Sequence, residues 1–140
     1  MRDLIFVILL LTLLFVVPGC NETTIEPLPT GAFAYTSYDS LGTVIARGWL
    51  SFDCHDSTYV KGDWSINKVG NPQRIGPQIG DGNLVGSFIE GKLNIELNPN
   101  FVDNNLSLIG DLEGNKYSGL WIYFSFAGNT NRGRFEAIRK

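Results

Sequence analysis

The sequence is short of most reactive chemistry. Its 140 residues include two cysteines, one histidine and one methionine. Two cysteines cannot build a disulfide-rich scaffold, and no Cys/His spacing matches a zinc site. Charged residues make up 18% and the net charge is −3, which leaves no basic footprint for nucleic acid. There is no long Ala/Glu/Lys/Leu-rich stretch, and 16 glycines argue further against a helical bundle. A lone histidine allows no Ser-His-Asp arrangement, and no phosphate-cradling glycine motif opens a helix. Asp53-Cys54-His55-Asp56 is the one cluster of reactive types. Its adjacent Cys54 and His55 would point to opposite sides of a strand end, so it reads as a turn. Asp111 and Glu113 share one face at i, i+2, but it is the predicted outer face, where solvated charge suffices. No catalytic residue, metal ligand or cofactor is expected, and the chain does not read as an enzyme. The length suits one domain.

What is abundant is concentrated. Among the first 17 residues, 14 are apolar counting Met1, after which the composition becomes that of an ordinary domain. Leu4 to Val17 is apolar except for Thr12. At about 1.5 Å per residue those fourteen residues rise roughly 21 Å as a helix, short of a ~30 Å hydrocarbon core. That is the dimension of a signal-peptide apolar region, preceded here by Arg2.

The run ends in Val17-Pro18-Gly19-Cys20. An aliphatic residue three before a cysteine, with a small residue just before it, resembles the lipobox of bacterial lipoproteins. The resemblance implies that residues 1–19 are a removed signal peptide. It also implies that Cys20 becomes a new N-terminus carrying diacylglycerol and an N-acyl chain. Three acyl chains, at about 0.8 kcal/mol per buried methylene, hold a protein on a membrane durably. Residues 20–30 would then be lipidated cysteine and tether, stiffened by Pro27 and Pro29. In enterobacteria-like sorting, the resemblance implies that Asn21 after the lipidated cysteine permits export to the outer membrane, where Asp would retain the protein. The expected location is the bacterial cell envelope, with the domain outside the cytoplasm and membrane contact through Cys20.

From Gly31 onward the pattern is β throughout. Strands are expected at 31–38, 43–53, 57–66, 83–90, 93–98, 105–113, 116–126 and 132–139, separated by turn residues. Seven of the eight carry Gly-x-large-apolar: Gly31-Ala32-Phe33, Gly48-Trp49-Leu50, Gly62-Asp63-Trp64, Gly86-Ser87-Phe88, Gly110-Asp111-Leu112, Gly119-Leu120-Trp121 and Gly133-Arg134-Phe135. Residues two apart share a face, so each glycine sits beside a bulky neighbour on the core side. Alternating small and large inward residues fill small barrels. Val44, Ala46, Gly48, Leu50 and Phe52 are assigned inward, against Ile45, Arg47, Trp49 and Ser51 outward. The fold expected for 31–140 is an all-β, eight-stranded antiparallel up-and-down β-barrel, with a two-sheet β-sandwich as the alternative. Alternate connections share an end. The tight turns at 53–57, 91–92 and 114–115 fall at one, and 39–42, 98–104, 127–131 and the long 67–82 loop at the other.

An eight-stranded meander with Gly-x-aromatic in its first strand and basic residues ending its last resembles a minimal calycin, the group of lipocalins and avidins. Phe33 stands where lipocalins carry tryptophan. The resemblance implies an arginine over that ring, for which Arg134 and Arg139 qualify. It also implies an interior able to hold a ligand. Such barrels are either filled by side chains or hold one small molecule. Phe33, Trp64, Phe88, Trp121 and Phe135, with the Tyr35 hydroxyl, are the residues expected to line or plug it for a small apolar ligand. Strand 116–126 is apolar on both faces, which makes Leu120, Ile122 and Phe124, joined by Ile109 and Ile138, a candidate outer surface for a protein partner. A structural envelope lipoprotein without a ligand is the third reading.

Overall fold

The computed structural model describes residues 28–54, 58–73, 75, 78–101, 103–126 and 131–140. Cys20, the leader, His55 and Asp56 lie outside the described residues. The strands are β1 (Gly31–Tyr38), β2 (Val44–Cys54), β3 (Tyr59–Lys68), β4 (Gly80–Ile89), β5 (Lys92–Glu96), β6 (Asn104–Glu113), β7 (Lys116–Ser125) and β8 (Asn131–Arg139). Each pairs antiparallel with the next, and β1 pairs with β8, so the sheet closes as an eight-stranded barrel. Closure leaves neither edge of the sheet unpaired.

The two-residue turns follow their residues. Glu90 and Gly91 both have positive φ, 51° and 77°, as a type I′ hairpin between paired Ile89 and Lys92 requires. Gly114, at φ 60°, opens the turn between paired Glu113 and Lys116. The β1–β2 connection is held by Asp39, whose side chain accepts from the Leu41 and Thr43 amides at 2.9 and 2.8 Å.

All seven bulky members of the glycine motifs are buried: Phe33, Leu50, Trp64, Phe88, Leu112, Trp121 and Phe135. For six of the seven glycines, all but Gly31, the reason is closer contact than spacing alone. A Cβ on Gly62 would lie 1.7 Å from the Ser51 carbonyl oxygen on β2, a distance no side chain tolerates. The neighbouring backbone already occupies the place, as expected where a sheet coils tightly enough to close.

Two local expectations are corrected. Ile45 is buried rather than outward. Ser37 pairs with Ala46 and Tyr38 with Val44, so Ile45 is the extra residue of a bulge and turns inward beside Ala46. The long connection is also shorter than 67–82, because β3 runs to Lys68 and β4 begins at Gly80. Gly80 and Gly82, which read as turn residues, pair with Ile66 and Trp64 inside the sheet. A Cβ on Gly82 would stand 3.3 Å from the Trp64 indole nitrogen, so glycine there makes room for a ring.

Candidate functional site

The six residues expected to face a ligand are all inside, each between 0 and 5% exposed. They come from two walls of the barrel. Phe33, Tyr35, Trp121 and Phe135 belong to the β7–β8–β1 wall, while Trp64 and Phe88 project from β3 and β4 opposite. On the first side the rings are in contact. Phe33 lies 4.9 Å from Phe52, Phe52 lies 6.0 Å from Tyr117, Tyr117 lies 4.6 Å from Phe135, and Phe135 stacks 5.9 Å from Tyr35. Edge and offset contacts at these separations are those of a packed aromatic core.

Among the described residues the buried side-chain polar atoms have hydrogen-bond partners, except Arg139 Nε. Tyr117 donates its hydroxyl toward the Leu108 and Leu93 carbonyls at 2.8 and 3.1 Å. Trp64 Nε1 donates to the Leu97 carbonyl at 2.7 Å, and Trp121 Nε1 to that of Tyr38 at 2.8 Å. Gln78, from the β3–β4 connection, is fully buried. Its Oε1 accepts from Ser37 Oγ at 2.9 Å and from the Tyr35 hydroxyl at 3.2 Å, while its Nε2 donates to the Ile75 carbonyl at 2.7 Å. The long connection therefore lowers a glutamine onto Tyr35 and Ser37, the inward-facing polar residues of β1. Burial pushes the Tyr35 phenol well above its ordinary pKa, opposed by the Ser37 hydroxyl. Tyr117 is raised by burial and then by the proximity of Tyr35.

Arg139 lies over the Phe33 ring, its guanidinium carbon 5.1 Å from the ring centroid. The same guanidinium donates to the Leu28 carbonyl at 3.4 Å. Arg134 points outward instead.

On the outside, β7 keeps its parity because it pairs with β6 and β8 without a shift across Gly119. Leu120 is 44% exposed, Phe124 43% and Ile109 45%; Ile122 is half-buried. Leu120 and Ile109 are direct cross-strand partners. Ile138 is also exposed but pairs with Lys116 and Ala34, so it belongs to a separate patch with Trp49 across Ala34. Asp111, the outer carboxylate, is paired with Lys92.

A groove of about 510 Å³ lies on the outer face along β8, lined by Tyr38, Lys116, Ser118, Leu120, Arg134 and Glu136 among others. Tyr38 donates its hydroxyl to Glu136 Oε1 at 2.6 Å, and Lys116 Nζ lies 3.2 Å from Oε2. These two contacts, in that order, lower the pKa of the Glu136 carboxyl against the opposing effect of burial. The same hydrogen bond raises the Tyr38 phenol, reinforced by burial and the Glu136 charge and offset by Arg47 and Arg134. Sequence reasoning missed this groove because it straddles the β1–β8 closure, joining residues 98 apart. It missed Gln78 because a polar loop residue carries no mark of being buried.

Fold and site together define a closed β-meander barrel with a packed interior and a featured outer wall. No family model matches the chain, and neither does any curated protein or any solved structure.

Proposed function

We propose that this chain is a lipid-anchored protein of the bacterial cell envelope, outer membrane favoured, whose barrel serves as a rigid display for a protein partner and performs no catalysis. The anchor reading rests on the lipobox-like Val17-Pro18-Gly19-Cys20 and the apolar leader before it. The observation that carries the display reading is the contrast between the two faces of β7. Inside, Tyr117 and Trp121 are buried with their donors satisfied; outside, Leu120 and Phe124 meet solvent. Apolar side chains gathered on an outer wall mark a partner surface. A small apolar ligand inside the barrel would have to displace side chains already in mutual contact, which makes the outer wall the better-supported site.

Native mass spectrometry on protein purified from its own host tests this. A stable protein complex, lost in Leu120→Lys while the barrel still folds, is the expected outcome. A retained small molecule without a protein partner would return the function to the interior, and an empty monomer would leave only a structural lipoprotein. Cys20→Ser tests the anchor separately: it should abolish incorporation of a labelled fatty acid and release the protein from the membrane fraction.

A further inference from the structure

We propose that the groove over β8 is a binding site for a small organic acid, whose carboxylate pairs with Arg134 and whose apolar part rests against Leu120. This goes beyond the partner surface and does not depend on it.

Four observations carry it. The groove, at about 510 Å³, falls within the roughly 300–1,000 Å³ typical of small-molecule sites. Its one carboxylate is already committed, since Glu136 takes the Tyr38 hydroxyl on one oxygen and Lys116 on the other. Arg134, by contrast, has no hydrogen-bonding or ionic partner among the described residues. Arg134 sits between the walls formed by Tyr38 on β1 and Leu120 on β7, its direct cross-strand partners.

Charge and shape choose the ligand. A free guanidinium fork matches a planar carboxylate through two parallel hydrogen bonds. Ser118 supplies a hydroxyl on the same floor, cross-strand from Glu136. The fixed negative charge of Glu136 disfavours a dianion such as phosphate, and the exposed Leu120 side chain favours an apolar body behind the carboxylate.

The test is an amide-resolved NMR titration of the full chain in non-ionic detergent, with phenylacetate as the probe. Phenylacetate should move the amides of Ser118, Leu120, Arg134 and Glu136 saturably. Phenylacetamide, which lacks the charge, and inorganic phosphate, which lacks the apolar body, should each bind at least about tenfold more weakly. Arg134→Gln should weaken phenylacetate by about tenfold or more, and Arg134→Lys should fall between, keeping charge without the fork. Glu136→Gln should tighten it several-fold by removing the neighbouring negative charge. Arg134 is exposed, so an unchanged amide pattern elsewhere will show that its variants fold. Absence of saturable shifts, equal binding of phenylacetamide or phosphate, or indifference to Arg134→Gln would each overturn the proposal.

Discussion

Trp64 and Trp121 stand four strands apart in the eight-strand barrel and are built alike. Trp64 on β3 pairs with Gly82 on β4 and donates to the Leu97 carbonyl at the end of β5; Trp121 on β7 pairs with Gly133 on β8 and donates to the Tyr38 carbonyl at the end of β1. Each indole thus crosses a glycine to pin the next strand but one. Around this shared device the halves differ. The β3–β6 half is filled largely by Val60, Ile66, Leu84, Leu93, Ile95, Leu106 and Leu108. The β7–β8–β1–β2 half holds the linked rings of Phe33, Phe52, Tyr117, Phe135 and Tyr35, with Ser37 and Gln78 above them. An aliphatic wall asks only for volume. The aromatic wall adds hydrogen-bond obligations, and its outer side carries the β8 groove.

The two glycines under the indoles separate the halves most sharply. Gly133→Ala would put a Cβ 2.1 Å from the Tyr38 carbonyl oxygen and 2.6 Å from the Trp121 nitrogen, whereas at Gly82 the nearest atom is 3.3 Å away. The expected loss is about 3 kcal/mol or more for Gly133→Ala, against less than about 1 kcal/mol for Gly82→Ala, read from urea midpoints. Equal effects would mean that the two seams relax alike and that the likeness of the indoles outweighs the difference.

Alkali should strike the aromatic half next. Both Tyr35 and Tyr117 have raised phenol pKa values in the folded state. Their contribution is therefore fully present below the unfolded-state value of about 10 and is lost above it, as the unfolded chain releases protons that the folded one retains. Stability should fall by up to about 1.4 kcal/mol per pH unit for each phenol, and Tyr35→Phe should flatten the slope by one proton. Gln78→Ala removes the acceptor shared by Tyr35 and Ser37 and should cost about 2 kcal/mol by chemical denaturation. The surface ion pairs come last. A double-mutant cycle on Lys92–Asp111, which is more exposed, should give less than about 0.5 kcal/mol. The cycle on Lys116–Glu136 should give more, though not above about 1 kcal/mol, because Tyr38 also fixes that carboxylate.

The legible part of this fold was whatever alternates. Gly-x-large placed Leu50, Trp64, Leu112 and Phe135 inward because strand parity is rigid between turns. Parity also put Leu120 and Phe124 outside, since β7 runs without a bulge. Ile45 escaped because a bulge changes parity without changing composition. Gly80-Asp81-Gly82 escaped because glycine under an indole has the same spelling as glycine in a turn. The six interior residues were legible as core, but that they divide between two walls depends on which strands face each other across a closed sheet. The β8 groove was least legible, as its Tyr38 wall reaches it only through the last pairing of the chain.

That last pairing also sets an order of assembly. Seven of the barrel's eight seams join strands adjacent in sequence; the β1–β8 seam alone has no hairpin behind it and brings together residues 98 apart. Its loop-closure entropy must be met before its hydrogen bonds form, which makes it the slow, non-local step of folding. Until then β1 and β8 are two bare strand edges, open to pairing with another chain. The Tyr38–Glu136 hydrogen bond spans the seam from outside, and Arg139 lies over Phe33 at its inner end. These contacts form a latch across the one seam that no hairpin closes, so weakening them should bare both strand edges and show as concentration-dependent aggregation during refolding.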